Sequence, residues 1–318
     1  MSNELDRRDF LKKSLAGSAA GAMGLSFEER NLLAQTSKRP APAAPSGSRG
    51  AMPMGRIKDV KISRMFTGGN LISGFAHSRD LIYVSSLLQS YFTDEKVMET
   101  LELCEERGIN TAILRLDDHC KRILNRYWNE RGGKIQWIAQ IKITPDDLSQ
   151  VTDAVDHGAI GAFVHGGVSD TCVANGQVDL LGKAVDLIKQ TGAIAGLGGH
   201  TVEVPMASEK AGLDPDFYMK TLHSHGYWSA EGRSEHDNIW SKTPEKTIEF
   251  MRTVKKPWIA YKVMAAGAIP PSRAFKYAYE GGADFICAGM FDFQVREDAI
   301  IANKILAANL NRPRPWCA

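Results

Sequence analysis

Histidines occupy the positions in this sequence that are best suited to chemistry. His223 and His225 lie two residues apart, so on a strand both imidazoles would point to the same side. Such a pair can share a metal ion, and His200 on a neighbouring strand is a candidate third ligand. Three nitrogen ligands with an open position are typical of catalytic Zn²⁺ or a similar divalent metal. The alternative is a set of neutral histidines that hydrogen-bond to substrate hydroxyls.

Candidate catalytic residues outside this metal set are His165, Lys262, Glu203 and Asp117. Lys220 and Lys262 lie in consecutive predicted strands and resemble the lysine pair of class I aldolases. In those enzymes one lysine forms a Schiff base and the other lowers its pKa. The alternative is a salt bridge from Lys262 to Asp117 or Glu203, which would make the lysine structural.

Candidate substrate-binding residues are Arg115 and Gln140 at strand ends, followed by a long loop that is rich in aromatic and charged side chains. In that loop the candidates are Tyr227, Trp228, His236, Asp237 and Trp240. Tryptophan and tyrosine stack on sugar rings, while charged and amide groups bind hydroxyls. The loop therefore predicts a small carbohydrate-like substrate. Aromatic packing of the loop on its own domain is the alternative.

Short apolar runs alternate with amphipathic helical patterns along most of the chain. The runs predict strands at Val60–Met65, Asn110–Leu114, Ile135–Ile141, Ala159–Val164, Ala193–Leu197, Phe217–Leu222, Trp258–Met264 and Asp284–Ala288. No G-x-G-x-x-G motif follows the first run, so a closed (β/α)8 TIM barrel is favoured over an open doubly wound sheet. In such a barrel the active site lies at the carboxyl ends of the strands, where most candidate residues fall. Strand alternation predicts that Lys262 faces the barrel interior and Tyr261 the helix layer.

The N-terminal segment has the layout of an export signal. Arg7-Arg8-Asp9-Phe10-Leu11-Lys12 resembles the twin-arginine motif, and a weakly apolar Ala/Gly-rich run follows it. We expect a signal peptide at residues 1–34, a disordered Pro/Ala/Ser/Gly-rich linker at 35–55 and the barrel at 56–318. The expected partner is the twin-arginine export machinery, and the expected location is the periplasm or another extracytoplasmic space.

Loss of the arginine pair tests this export prediction. We expect the double variant Arg7→Lys, Arg8→Lys to leave its precursor in the cytoplasm. Cell fractionation with an antibody against the protein measures the distribution. Normal export of the double variant would show that the export machinery does not recognise this motif.

Composition narrows the remaining function classes. The formal net charge of +2 comes without a long basic stripe, so nucleic acid is not an expected partner. No apolar run is long enough for a permanent membrane span. The five cysteines are scattered and form neither a disulfide framework nor a metal motif. Few basic or hydroxyl residues flank Gly267 and Gly289, so a phosphorylated substrate is not expected.

Two regions of the domain resemble the aldo/keto reductase family. The segments are Lys61–Arg64, Glu95–Val97 and Gly108–Asn110 near its start, and Ala274–Ala278, Ile286–Met290 and Gln294–Glu297 near its end. His165 matches the histidine of that family's fourth strand, and Asp170 follows it. The resemblance implies a barrel and NAD(P) as an alternative cofactor. The family's other catalytic residues are absent: Gln140 stands where its lysine belongs, and its tyrosine is missing.

Three functions remain open from the sequence. The first is an exported barrel enzyme, of lyase, isomerase or hydrolase type, that acts on a small carbohydrate-like molecule through a histidine-rich site. The second is an NAD(P)-dependent oxidoreductase of the aldo/keto reductase type. The third is a non-catalytic barrel that binds a sugar or a protein. The chain as a whole resembles other twin-arginine-exported barrels, which implies no particular activity.

Overall fold

The protein is a (β/α)8 TIM barrel. The computed structural model describes residues 52–75, 81–227 and 241–318. A two-stranded antiparallel hairpin comes first, with β1 at Met54–Ile57 and β2 at Val60–Ser63. The barrel strands are β3 Met65–Gly68, β4 Thr111–Arg115, β5 Gln136–Ile141, β6 Gly161–Val164, β7 Ile194–Gly199, β8 Phe217–Thr221, β9 Trp258–Tyr261 and β10 Phe285–Ala288. They are parallel, and β10 pairs with β3 to close the barrel. The predicted fold class is confirmed.

Helices connect the strands on the outside. They are α1 Tyr83–Tyr91, α2 Asp94–Glu106, α3 Asp118–Glu130, α4 Gln150–Asp156, α5 Gly166–Ala174, α6 Val178–Gln190, α7 Glu203–Lys210, α8 Pro244–Met251, α9 Pro271–Glu280 and α10 Asp292–Ala307. Their boundaries follow local chemistry. The Thr93 hydroxyl caps α2 by accepting from the Lys96 amide at 3.3 Å, and α8 begins with Pro244 at its first position.

The first strand prediction combined two separate elements. Val60–Ser63 pairs antiparallel with β1, whereas the first barrel strand begins at Met65. Met52 is buried, and β1 includes Met54 and Gly55, residues that the sequence assigned to the linker. The hairpin side chains Ile57 and Ile62 pack with the residues inside the barrel. The hairpin therefore covers the end of the barrel at which the strands begin.

The barrel interior is a packed layer of apolar side chains. Besides the two hairpin isoleucines it contains Phe66, Ile113, Ile138, Phe163, Ile194, Phe217, Met219, Ile259, Phe285 and Cys287. Gly196 makes room for this packing, since a Cβ there would lie 2.3 Å from the Phe217 ring and 2.8 Å from Phe163. Open space lies above this layer, toward the carboxyl ends of the strands.

The C-terminal segment is held at the end of the barrel where the strands begin. Asp284, fully buried before β10, accepts from the Trp258 amide at 2.9 Å and the Cys317 amide at 2.7 Å. The Arg314 guanidinium lies 3.3 Å from the same carboxylate, and that of Arg312 lies 3.7 Å away. One buried carboxylate thus lies between the guanidinium groups of two arginines and offsets part of their charge.

Within the described ranges, no helix has both the length and the apolar character needed to cross a membrane.

Candidate active site

A large cavity opens at the carboxyl ends of the barrel strands. Its volume is about 1540 Å³. Every strand of the barrel, or the residue after it, contributes to the lining: Gly68, Arg115, Gln140, His165, His200, Met219, Tyr261, Lys262 and Cys287 are examples. This is the end of the barrel at which the sequence placed the active site.

A hydrogen-bonded aspartate–histidine pair lies in this cavity. Helix α5 begins directly after His165 and carries Asp170 next to the end of β7, where His200 follows. His200 Nδ1 donates to Asp170 Oδ2 at 2.8 Å. The carboxylate also accepts from the amides of His200, at 3.1 Å, and Thr201, at 3.2 Å. Burial acts to raise the pKa of Asp170, but the bonds from His200 and Thr201 outweigh it and hold the pKa below its usual value.

The bond to Asp170 determines which nitrogen of His200 can act as a base. A neutral imidazole with its proton on Nδ1 has its lone pair on Nε2. The ionised carboxylate also stabilises the imidazolium that forms once Nε2 has accepted a proton. The pair therefore has the two properties that a general base needs: a fixed tautomer and a partner for the resulting charge.

His165 lies beside this pair and has a lowered pKa. Its ring centroid is 6.2 Å from that of His200. Burial lowers the pKa of His165 to about 4, and the nearby cations Lys142, Lys262 and Arg115 act in the same direction. The ring is therefore neutral at pH 7. Its Nδ1 atom is buried and has no hydrogen-bond partner among the described residues, which leaves a polar atom available to a ligand.

Tyr261 faces the cavity, and the prediction that it belongs to the helix layer is wrong. Ile259 and Tyr261 pack toward the barrel interior, whereas Trp258 and Ala260 pack toward the helices. The ring centroid of Tyr261 is 5.7 Å from that of His200. Burial raises the pKa of the phenol well above its usual value, so the hydroxyl stays protonated and can donate. Its oxygen is buried without a hydrogen-bond partner in the described part of the chain.

The glycine at the start of α5 allows this tyrosine to fit. A Cβ on Gly166 would lie 2.5 Å from the Tyr261 hydroxyl and 3.1 Å from His200 Cε1. Any larger residue would displace one of the two rings. A glycine at position 166 is therefore needed to leave room for the rings of Tyr261 and His200.

The two candidate lysines have different surroundings. Lys262 follows β9 with a left-handed backbone (φ 56°), which breaks the strand alternation, so both Tyr261 and Lys262 line the cavity. Lys220 donates to the carbonyl oxygens of His200, at 2.8 Å, and Thr221, at 2.9 Å, and to the Thr221 hydroxyl at 2.8 Å. Burial lowers the pKa of both amines to about 7. One of the three acceptors of Lys220 is the His200 carbonyl, so this lysine holds the backbone of His200 in place.

The predicted metal triad does not assemble. His223 Nδ1 donates to the Ser224 carbonyl at 3.1 Å, and its Nε2 accepts from the Ser241 amide at 3.0 Å. His225 Nε2 donates to the Ser241 carbonyl at 2.7 Å. The two rings therefore hold the backbone of Ser241 from both sides. Across the described ranges, no group of three or more His, Cys, Asp or Glu side chains could hold a metal ion.

Two predicted catalytic carboxylates have other roles. Asp117 caps α3 by accepting from the Cys120 amide at 2.9 Å, and its carboxylate lies 3.6 Å from Arg115 Nε. Glu203 lies at the cavity rim and pairs with Lys246 at 3.2 Å, where both side chains are 53% exposed. Within the described part of the chain, neither carboxylate accepts, as that of half-buried Asp170 does, from a histidine ring and two backbone amides.

The predicted substrate-binding residues divide into three groups. Arg115 and Gln140 line the cavity, as predicted. Tyr227 packs its ring 6.0 Å from that of His223, on the apolar core. The remaining candidates lie outside the described residues: Trp228, His236, Asp237 and Trp240.

Acid should destabilise the fold through the buried histidines. Burial lowers the pKa of both His165 and His223 to about 4, whereas an unfolded chain protonates histidine near 6.5. Stability is then complete above pH 6.5 and falls as the pH drops toward 4. Each ring contributes about 1.4 kcal/mol per unit of pKa difference. Melting temperatures between pH 7.5 and 4.5 measure this, and His223→Gln should flatten the curve. A pH-independent melting temperature over this range contradicts the assignment.

Comparison with known proteins shows a likeness in structure. No protein-family model and no curated protein matches the sequence. Two solved structures of Pseudomonas aeruginosa proteins, each described as an aldo-keto reductase, are similar at 15% identity. One has a TM-score of 0.59 over 82% of this chain and 99% of its own, the other 0.55 over 80% and 94%. A Gox0644 variant in complex with NADPH aligns at 9% identity and TM-score 0.52, over 82% of this chain and 90% of its own. The likeness is one of fold.

Proposed function

We propose that this barrel is an acid–base enzyme that moves a proton on a small, hydroxylated carbonyl compound. The observation that carries the proposal is the His200–Asp170 pair, joined at 2.8 Å within the central cavity. The ring centroids of the protonated Tyr261 and the neutral His165 lie 5.7 Å and 6.2 Å from that of His200. These groups suit a lyase or isomerase acting on a carbohydrate-like substrate, the first of the three functions open from the sequence.

His200 is the base in this reaction. Its Nε2 takes a proton from the carbon next to the carbonyl, and the C–H electron pair forms a new C=C bond. The carbonyl oxygen then carries the negative charge of an enolate. Asp170 stabilises the imidazolium, so the charge on the base does not oppose proton removal.

Tyr261 and His165 stabilise the developing oxyanion. Both present a buried polar atom that has no partner among the described residues, and Tyr261 is a hydrogen-bond donor at neutral pH. Return of the proton to the adjacent carbon, with a proton exchanged between the two oxygens, completes an isomerisation. Departure of a β-hydroxyl as water, protonated by the imidazolium, completes an elimination.

Deuterium exchange tests the proposal whatever the final product of the reaction is. The protein is incubated in D₂O with aldoses, ketoses, keto acids and sugar acids, and NMR follows loss of the C–H signal next to the carbonyl. We expect exchange on at least one compound and none with His200→Asn. His157→Asn is the matched control, because His157 lies on the surface and pairs with Asp153 at 2.9 Å. Equal exchange in both variants would remove His200 from the reaction.

The oxidoreductase alternative needs a dinucleotide, whose phosphate groups would need partners in the cavity. Phosphate groups bound by such barrels lie near the loops after the last two strands. Here those loops present Met264, Ala266, Gly267, Gly289 and Phe291. Lys262 is the only lysine or arginine that these two loops contribute to the described lining. Fluorescence titration with NADPH and NADH is the test, and saturable binding with aldehyde reduction would favour the oxidoreductase.

We also propose that the enzyme acts outside the cytoplasm, on the strength of the twin-arginine motif at Arg7-Arg8.

A further inference from the structure

Three neighbouring strands place hydrogen-bond donors on one wall of the cavity. Arg115 on β4 is paired in register with Gln140 on β5, and Gln140 with Phe163 on β6. Two residues further along, Lys142 and His165 also line the cavity. The wall therefore has two layers: Arg115 beside Gln140, and above them Lys142 beside His165.

The wall carries the positive charges of Arg115 and Lys142, and the described cavity lining has no unengaged carboxylate to balance them. The carboxylates that line the cavity there are Asp170 and Glu203, and each is already engaged, with His200 and Lys246 respectively. Arg115 is 3.6 Å from Asp117, which lies outside the cavity lining. The positive charges of Lys142 and Arg115 act on His165 and disfavour its protonated form. Cations gathered in a cavity are stabilised by an anionic ligand.

The buried Nδ1 of His165, which the proposed reaction places near the developing oxyanion, also belongs to this wall. It has no hydrogen-bond partner among the described residues, although leaving a buried polar atom unpaired is unfavourable. A ligand that reaches the wall would satisfy it. The same ligand would also lie beside the ring of His200, 6.2 Å away between ring centroids.

We propose that the substrate carries a carboxylate, which Arg115, Gln140 and Lys142 bind while a nearby C–H bond of the substrate faces His200. The inference rests on the proposed function for the reaction, but binding can be measured separately. A carboxylate is favoured over a phosphate because the loops after the last two strands, where such barrels bind phosphate, contribute Lys262 as their one lysine or arginine to the described lining. The substrate class is therefore a hydroxy acid or keto acid of sugar size, and not a neutral sugar.

Matched ligands test the charge directly. Calorimetric titrations compare D-gluconate with D-glucose and with D-glucitol, the open-chain alcohol that has CH2OH in place of the carboxylate, and include malonate and inorganic phosphate. We expect gluconate to bind at least tenfold more tightly than glucose, and phosphate more weakly than gluconate. Binding of gluconate should weaken as salt is raised. Equal affinity for the acid and the sugar, or tightest binding of phosphate, overturns the proposal.

Variants locate the site. Arg115→Gln should weaken gluconate binding about tenfold or more, with Lys142→Gln weakening it less because Lys142 is solvent-exposed. Lys276→Gln is the control, since Lys276 lies on the surface of α9 near Glu280. Unchanged affinity in Arg115→Gln contradicts the proposed wall. Deuterium exchange on neutral sugars, without any on acids, would contradict the carboxylate and leave the proposed function standing.

Discussion

The Asp170→Asn variant is expected to lose proton-transfer activity by a factor of about 10² to 10⁴. An asparagine can still accept from the His200 and Thr201 amides, so the loop geometry is retained. It cannot stabilise a charged imidazolium, and its amide can favour the wrong tautomer of His200. The initial rate of deuterium exchange, measured by NMR on the substrate found with the wild type, gives the loss directly.

A second aspartate–histidine pair in the same molecule provides the control. Asp153 lies 2.9 Å from His157 Nδ1 on α4, away from the cavity lining. Asp153→Asn removes the same kind of contact and should leave the exchange rate unchanged. Melting temperatures of both variants exclude unfolding as the cause. A rate in Asp170→Asn above half that of the wild type contradicts the role assigned to the pair.

The barrel could be predicted because its signals are local and repeated. Seven of the eight predicted runs each cover most of an observed barrel strand, whereas the first shares only Met65 with β3. Elsewhere a Thr-Pro pair, Thr243-Pro244, begins α8. The Thr-Pro pair at Thr144-Pro145 does not begin a helix: Thr144 and Asp147 form an isolated bridge, and α4 begins at Gln150. The run Val60–Met65 was predicted as a barrel strand but lies mostly in the hairpin, because an antiparallel hairpin has the same apolar alternation as a barrel strand. Only the pairing partner distinguishes them, and the partner is not local.

The site was predicted in part, and the errors share a physical cause. His165 and His200 line the cavity, because the ends of parallel strands meet at one end of a barrel. The spacing of His223 and His225 indicated a shared direction, but after the strand ends both rings bind the backbone of Ser241. A spacing motif does not reveal which backbone groups compete for a side chain.

Tyr261 was missed for a related reason. The sequence assigned Lys262 to the cavity and, by strict alternation, Tyr261 to the helices. A single left-handed residue at Lys262 (φ 56°) ends the alternation and lets both side chains reach the cavity. Lysine rarely adopts this conformation, so the sequence carries no local signal for it. Asp170 was noted only as following His165, and its contact with His200 depends on the packing of α5 against β7.

The Asp284→Ala variant is expected to lose about 3–5 kcal/mol of unfolding free energy, the usual cost of removing one partner of a buried ion pair. The substitution leaves Arg312 and Arg314 buried without their carboxylate and removes the acceptor for the Trp258 and Cys317 amides. Urea unfolding followed by circular dichroism measures the change. Asp214→Ala is the matched control, because Asp214 pairs with Lys189 at the surface and is 76% exposed. Its loss should be below about 1 kcal/mol. Equal destabilisation by the two substitutions would show that the buried network contributes no more than a surface pair.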